Sequence, residues 1–416
     1  MLTRAPKGTK DILPDSSSEW IFLEKKFRDI CELYGFSEIR TPMFEHTELF
    51  KRGVGDSTDI VQKEMYTFLD YGKRSITLKP EGTSPVARAF MEHKKYADPQ
   101  PTKYFYISPC FRYEKPQSGR LREFHQFGVE VFGTSSMMAD AEVIILAQNF
   151  LDSLGIKDTE LRINSVGCPK CREKHRNALK EFLYSKKDQL CDMCKIRYDI
   201  NPMRILDCKD KSCQELTKDA PVMLDFLCED CQKAFEDLRK QLDHTGIRYV
   251  VDPKIVRGLD YYTKTAFEFV TTGIGAQGTV CGGGRYDHLL EEIGDLEVPG
   301  VGFGLGIERL IMLMKDRKID FPEQRHPKVC IAFIGDEPRL FAIDLVNRLR
   351  NNGISACIDL LERNIKGQFK FADRVNAEYV AVIGDDEIKS HTITVKNMRT
   401  GEQTKTAIEE MMELFR

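Results

Sequence analysis

The densest run of chemistry-bearing side chains spans residues 111–133, FRYEKPQSGRLREFHQFGVEVFG, in whose first half Arg112, Lys115, Arg120 and Arg122 are opposed only by Glu114 and Glu123. An arginine at a strand end can hold a phosphate oxygen with both arms of its guanidinium, and a basic loop beyond it can reach a nucleic-acid end. The competing reading is a solvated hairpin with scattered charge. Residues 300–310, GVGFGLGIERL, place glycine at every second position and then Arg309 just inside an expected helix. Glycine weakens a strand, and one reason to accept that cost is close approach of a flat ligand, with Arg309 beside it. A bulge with tight helix packing is the alternative. Three CxxC pairs follow a third chemistry: Cys168 and Cys171, Cys191 and Cys194, Cys228 and Cys231, with Cys208 and Cys213 as a looser fourth. Tetrahedral Zn²⁺ takes four thiolates, and the first two pairs have a spacing known from zinc ribbons. Structural zinc is the sharp expectation, free thiols on helices the bland one; how the pairs combine stays open.

These segments must be positioned by a scaffold, and 416 residues allow two to three domains with large cores. The hydrophobic fraction of 41% and charged fraction of 31% are those of a soluble globular protein, with no apolar stretch long enough for a membrane helix. Residues 1–10 are polar and basic, unlike a secretory signal, so a cytosolic location is expected. In that reducing compartment the clustered cysteines point to metal before disulfides. The net charge of -3 excludes gripping of nucleic acid through an overall positive field and leaves room for a local patch.

Trp20, Leu23, Phe27, Ile30 and Tyr34 recur at helical spacing, predicting a helix over 16–34 with serines at 16–18 as caps and Gly35 as a stop. Strand-like runs at 75–78, 104–107, 248–251, 265–270 and 298–304, with helices at 139–154 and 306–314, alternate with loops in a way that favours an antiparallel sheet with flanking helices, an α+β class. The composition changes at 167–244, read as an inserted Cys-rich module between the two parts, 1–166 and 245–322, of a first domain. Residues 322–327, PEQRHP, suit a linker. Beyond it, strands at 329–334, 355–359 and 379–383 alternate with helices at 338–350 and 364–376, predicting a small α/β domain over 323–416 with a largely parallel sheet.

Residues 35–45 (GFSEIRTPMFE), 111–133 and 300–310 together resemble motifs 1, 2 and 3 of the class II aminoacyl-tRNA synthetases, in that order. Residues 77–83 (TLKPEGT), 257–262 (RGLDYY) and 282–287 (GGGRYD) resemble segments of the histidyl-tRNA synthetases within that class. The resemblance implies ATP-dependent activation of histidine and its transfer to tRNA-His, with ATP and Mg²⁺ against Arg112, Arg120, Glu130, Arg257 and Arg309. It puts Arg112 on the ATP phosphate and Arg257 at the α-phosphate, the two catalytic positions. Glu81, Thr83 and Gln126 would hold the α-ammonium group, Glu130 and Tyr262 the imidazole nitrogens, and Tyr261 and Tyr286 would wall the ring. That donor set makes physical sense, since an apolar side chain would leave buried polar groups unpaired. Lys115 and Gln117 are the expected readers of the tRNA acceptor end, motif 1 implies a homodimer, and residues from 328 resemble an anticodon-binding domain.

Two residues depart from the pattern: Lys79 and Lys115 stand where arginine is common in the family, keeping charge but losing the fork geometry. Rival readings are a regulatory subunit of histidine biosynthesis, a class II synthetase for threonine, proline or glycine, and an inactive synthetase fold that binds tRNA. Against them stand Glu81, Arg112, Glu130, Arg257 and Arg309, the RGLDYY segment and the tail domain, all present together.

Overall fold

The computed structural model describes residues 3–55, 58–117, 119–271 and 278–415, which divide into two units, Met1–Pro322 and Glu323–Arg416. The first helix, Pro14–Leu33, begins two residues before the expected serines, and no side-chain hydroxyl caps it. Proline at its first turn explains this start, because that position needs no N–H and φ is already helical. It ends where Gly35 takes a φ of 73°. Leu23, Phe27 and Ile30 are buried on one face, as their spacing predicts.

That face packs on an eight-stranded sheet among the described residues. Its order is Ser37–Glu38, Thr102–Phe111, Glu123–Phe132, Gly300–Gly306, Thr279–Arg285, Thr263–Val270, Glu160–Ser165 and Val250–Val251. The six central strands are antiparallel, as expected; both edge pairs are parallel. Residues 75–78 lie elsewhere, in a separate three-stranded sheet with Phe44–His46 and Tyr66–Leu69.

Strand alternation divides the large sheet into a core face and a site face. Phe127, Val129 and Val131, with Val301, Phe303 and Leu305 and with Phe267 and Phe269, enter one core under the helices Pro14–Leu33 and Met137–Ser153. Phe27 stacks on Phe127 with ring centroids 4.4 Å apart. Truncating such a buried ring costs about 3–5 kcal/mol. The residues between, Gln126, Gly128, Glu130, Glu268, Gly302, Gly304 and Gly306, fall on the opposite face. The inserted segment is helical, and its last helix, Glu229–His244, adds Phe235, Leu238 and Leu242 to the same core.

The second unit has a five-stranded sheet, ordered Ala356–Ile358, Val329–Phe333, Tyr379–Ile383, Thr392–Asn397 and Gln403–Ala407. The first three are parallel, as expected; the last two form an antiparallel hairpin that the sequence reading leaves as loop. Gln403–Ala407 (QTKTA) is polar and largely exposed, so no apolar alternation marks it. No helix among the described residues is long and apolar enough to cross a membrane.

Candidate active site

Cross-strand partners share a face of the sheet, so register alone builds the floor of the site. One row reads Tyr106, Gly128, Gly304, Gly282, Glu268; the next reads Tyr104, Glu130, Gly302, Gly284. Three adjacent glycines leave bare backbone. The Tyr106 ring covers Gly128, where a Cβ would stand 2.2 Å from the ring, and the Arg257 guanidinium covers Gly282. Gly304 stays open, with Gln126 Nε2 the nearest atom to its missing Cβ at 3.6 Å. A flat group can rest there against the backbone.

Cations surround this floor. Arg112, one residue past its strand, donates from Nε to the Pro80 carbonyl at 2.8 Å. Arg309, in the first turn of Ile307–Asp316, donates from Nη1 to the Thr279 carbonyl at 2.8 Å, and Arg120 pairs with Glu114 at 3.0 Å. With Gln126, Arg257 and Glu268 they line a cavity of about 1140 Å³. Burial lowers the pKa of Arg309, and the neighbouring charges of Arg120 and Arg112 lower it further. Lys209, on the same wall, is lowered by burial and then by Arg120. Cations close enough to repel one another beside an open cavity form a site for a polyanion.

Arg257 sits between this cavity and a closed end. Its Nη1 donates to Glu268, its guanidinium lies 5.2 Å from the Tyr262 ring centroid, and its buried Nε has no partner. Burial opposes the charge, but Tyr262 and Glu268 offset it, so its pKa is raised. Glu268 also accepts from Thr279 Oγ1 at 3.0 Å. Sequence reading does not single out Glu268; the available signal is a carboxylate between Phe267 and Phe269, turned from the core by alternation. Tyr262, with Arg257, also borders a second cavity of about 640 Å³ beside the helix Pro169–Tyr184.

Beyond Tyr262 the site closes around a tyrosine cluster, with ring centroids 4.7 Å apart for Tyr261 and Tyr262, 5.5 Å for Tyr261 and Tyr286, and 6.4 Å for Tyr262 and Tyr286. Glu130 is fully buried; the Tyr286 hydroxyl donates to its Oε2, and Oε1 has no hydrogen-bond partner. Burial pushes this carboxyl up to about 8, against the opposing effect of the Tyr286 hydrogen bond. Glu81, 3% exposed, accepts from the N–H groups of Thr83 at 2.6 Å and Ser84 at 2.8 Å at the start of Thr83–Glu92. Lys79 is buried, donates to Thr41 at 3.3 Å, and has its pKa lowered by burial. Lys115 and Gln117 lie exposed on the loop between the two long strands, where Gln117 and Arg120 exchange backbone hydrogen bonds at 3.1 and 2.9 Å. Arg285 of the GGGRYD segment is buried and paired with Asp140, a scaffold contact rather than part of the cavity.

The structure thus brings Arg112, Arg120, Gln126, Arg257 and Arg309 to one cavity, and Glu81, Thr83, Glu130, Tyr261 and Tyr286 to the buried end behind it. The eight clustered cysteines gather in two groups of four, Cys168, Cys171, Cys228 and Cys231, and Cys191, Cys194, Cys208 and Cys213. The sequence leaves the pairing open; the first CxxC pair meets the third, because the helix Glu229–His244 folds back onto the core.

The histidyl-tRNA synthetase family profile matches residues 8–310, and an anticodon binding domain profile matches residues 328–416. The chain belongs to the histidyl-tRNA synthetase family. It is 58% identical to a histidine-tRNA ligase of Caldanaerobacter subterraneus subsp. tengcongensis over 411 residues, covering 99% of both chains. It is 53% identical to the histidine-tRNA ligase of Clostridioides difficile, again covering 99% of each. The crystal structure of apo S. aureus histidyl-tRNA synthetase superposes with a TM-score of 0.84 at 40% identity, covering 100% of both chains. Like other histidyl-tRNA synthetases the chain has a class II fold, a large mixed sheet flanked by helices, with an α/β anticodon-binding domain.

Proposed function

We propose that this chain activates L-histidine with ATP to histidyl-adenylate and pyrophosphate, then transfers histidine to the 3′ end of tRNA-His. The observation that carries the choice of amino acid is the unpartnered Oε1 of fully buried Glu130 within the tyrosine cluster. An imidazole N–H satisfies that oxygen, and the Tyr262 hydroxyl serves the second nitrogen. An apolar side chain leaves Oε1 of Glu130 buried and unsatisfied, a cost of about 1–3 kcal/mol. Glu81, Thr83 and Gln126 hold the α-ammonium group; Glu81 retains lone pairs beyond those its two N–H contacts use.

ATP enters as its Mg²⁺ complex along the glycine floor, bordered by Glu130, with Arg112, Arg120 and Arg309 on its phosphates. The histidine carboxylate attacks the α-phosphorus, the bond to the pyrophosphate oxygen breaks, and pyrophosphate leaves with its charge neutralised by Mg²⁺. Arg257, fixed by Glu268, stabilises the charge that develops on the α-phosphate, and no protein nucleophile is needed. A ribose hydroxyl of the tRNA end then attacks the activated carbonyl and AMP departs. Lys115 and Gln117 meet the acceptor end, including the extra 5′ guanosine, and residues 328–416 meet the anticodon. The enzyme works in the cytoplasm as a homodimer built through residues 35–45. Charging assays with labelled histidine test this directly: acid-stable label on tRNA-His supports the reading, and label on no tRNA in the presence of ATP and Mg²⁺ refutes it.

A further inference from the structure

Within each four-cysteine group all sulfur atoms lie within 4.8 Å of one another. Cys168 Sγ is 3.5 Å from Cys171 Sγ and 3.9 Å from Cys228 Sγ, and Cys191 Sγ is 3.9 Å from Cys208 Sγ. Four thiolates at about 2.3 Å from a tetrahedral Zn²⁺ have S–S edges of about 3.8 Å. Disulfides require a separation of about 2.05 Å, which these pairs do not approach. A polynuclear iron–sulfur cluster needs room for its own irons and sulfides between the thiolates, and this spacing leaves space for a single ion.

Backbone donors and helix starts face these sulfurs. The N–H of Cys228 donates to Cys171 Sγ at 3.1 Å, and the N–H of Cys191 to Cys213 Sγ at 3.3 Å. Cys168, Cys191 and Cys228 each stand at the N-cap of a helix, Pro169–Tyr184, Asp192–Ile200 and Glu229–His244, at the positive end of its dipole. Around the second group the apolar core is small, chiefly Leu179, Leu183, Leu190, Tyr198 and Ile205, so the segment needs a staple.

We infer that each group holds one Zn²⁺ ion, and that the second ion fixes residues 204–209 against the ATP cavity. Cys208 itself lines that cavity, between Asp207 and Lys209. Arg204 Nη1 donates to the Arg257 carbonyl at 3.3 Å, and Arg197, between Cys194 and Cys208, donates to Asp59 at 2.9 Å. The first ion ties the exit of the strand Glu160–Ser165 to the start of the helix that re-enters the core, closing both ends of the inserted segment. The two ions therefore differ in task, one holding the insert to the sheet and one shaping a substrate wall. The positioning half rests on the ATP reading above; the metal count does not.

Elemental analysis of the full-length protein, purified without chelator, is expected to give two zinc and no iron per chain. The Cys191→Ser/Cys194→Ser variant is expected to keep one zinc and its far-UV circular dichroism, and to raise KM for ATP in pyrophosphate exchange about tenfold or more with little change in KM for histidine. Should that variant not fold, Co²⁺ substitution into the wild-type protein must show thiolate charge-transfer and tetrahedral d–d bands for two ions per chain. Two irons, or no bound metal together with no Co²⁺ bands, overturn the zinc assignment. Loss of one zinc from the folded variant with unchanged KM for ATP overturns the positioning role.

Discussion

The guanidinium of Arg257 lies directly over Gly282, so close that a Cβ on that glycine would stand 2.7 Å from Nη2 and 2.8 Å from Nη1. The first neighbours met by such a methyl group are the far end of a long side chain, which can move, rather than backbone. Gly282→Ala should therefore fold with a melting temperature near that of the wild type while displacing Arg257 from the α-phosphate. The expected loss in kcat for pyrophosphate exchange is about 10- to 100-fold. Wild-type kcat in the folded variant would remove Arg257 from the transition state.

Glu130 predicts a pH dependence of both stability and binding. Its folded-state carboxyl is raised to about 8 from an ordinary 4.5, with burial the main cause. Between those values the native protein holds a proton that the unfolded chain releases, so this group's contribution to stability is full below about 4.5 and is lost as pH rises through about 8. Glu130→Gln removes the penalty. The ligand-free variant should melt higher than the wild type at pH 8.5, by an amount of the order of a few kcal/mol, with little difference at pH 4.5. Histidine-dependent exchange should fall about 100-fold in the same variant. Equal melting shifts at both pH values would contradict the assignment.

Arg309 divides the substrates. Placed by the Thr279 carbonyl among like charges, it contacts ATP and not histidine in this account. Arg309→Ala should raise KM for ATP about tenfold or more, while calorimetry finds histidine affinity within about twofold of wild type. A parallel loss of both would make the residue structural.

Much of this arrangement was legible beforehand, and the remainder was hidden for identifiable reasons. Alternating glycines at 300–306 did mark a strand with a bare face, because only a missing side chain produces that spacing. Arg112, Arg257 and Arg309 are far apart in sequence, and only the resemblance united them; sheet register is what brings them to one cavity. Glu268 escaped notice because a lone carboxylate in a strand reads as a solvated face, whereas here it anchors Arg257. The cysteine partners were unreadable because the order of pairs along the chain does not reveal that the helix Glu229–His244 folds back. Within the GGGRYD segment the sequence does not separate Tyr286, which joins the tyrosine cluster, from Arg285, which forms a buried ion pair with Asp140.

The exposed loop bearing Lys115 and Gln117 separates the two half-reactions. Replacing both by alanine should lower kcat/KM for tRNA-His about tenfold, with a weaker salt dependence, and leave pyrophosphate exchange unchanged. Steady-state charging measured beside exchange on one preparation checks this; a loss in exchange of the same size would place the loop at ATP instead.

Histidine activation at the Arg257 site is measured by pyrophosphate exchange from ATP, with each of the twenty amino acids offered separately and Arg257→Ala run alongside. Exchange is expected with histidine alone, falling at least about 100-fold in the variant. Exchange driven by another amino acid would discard the Glu130 pocket, and no exchange from well-folded protein with any amino acid would contradict the enzyme itself.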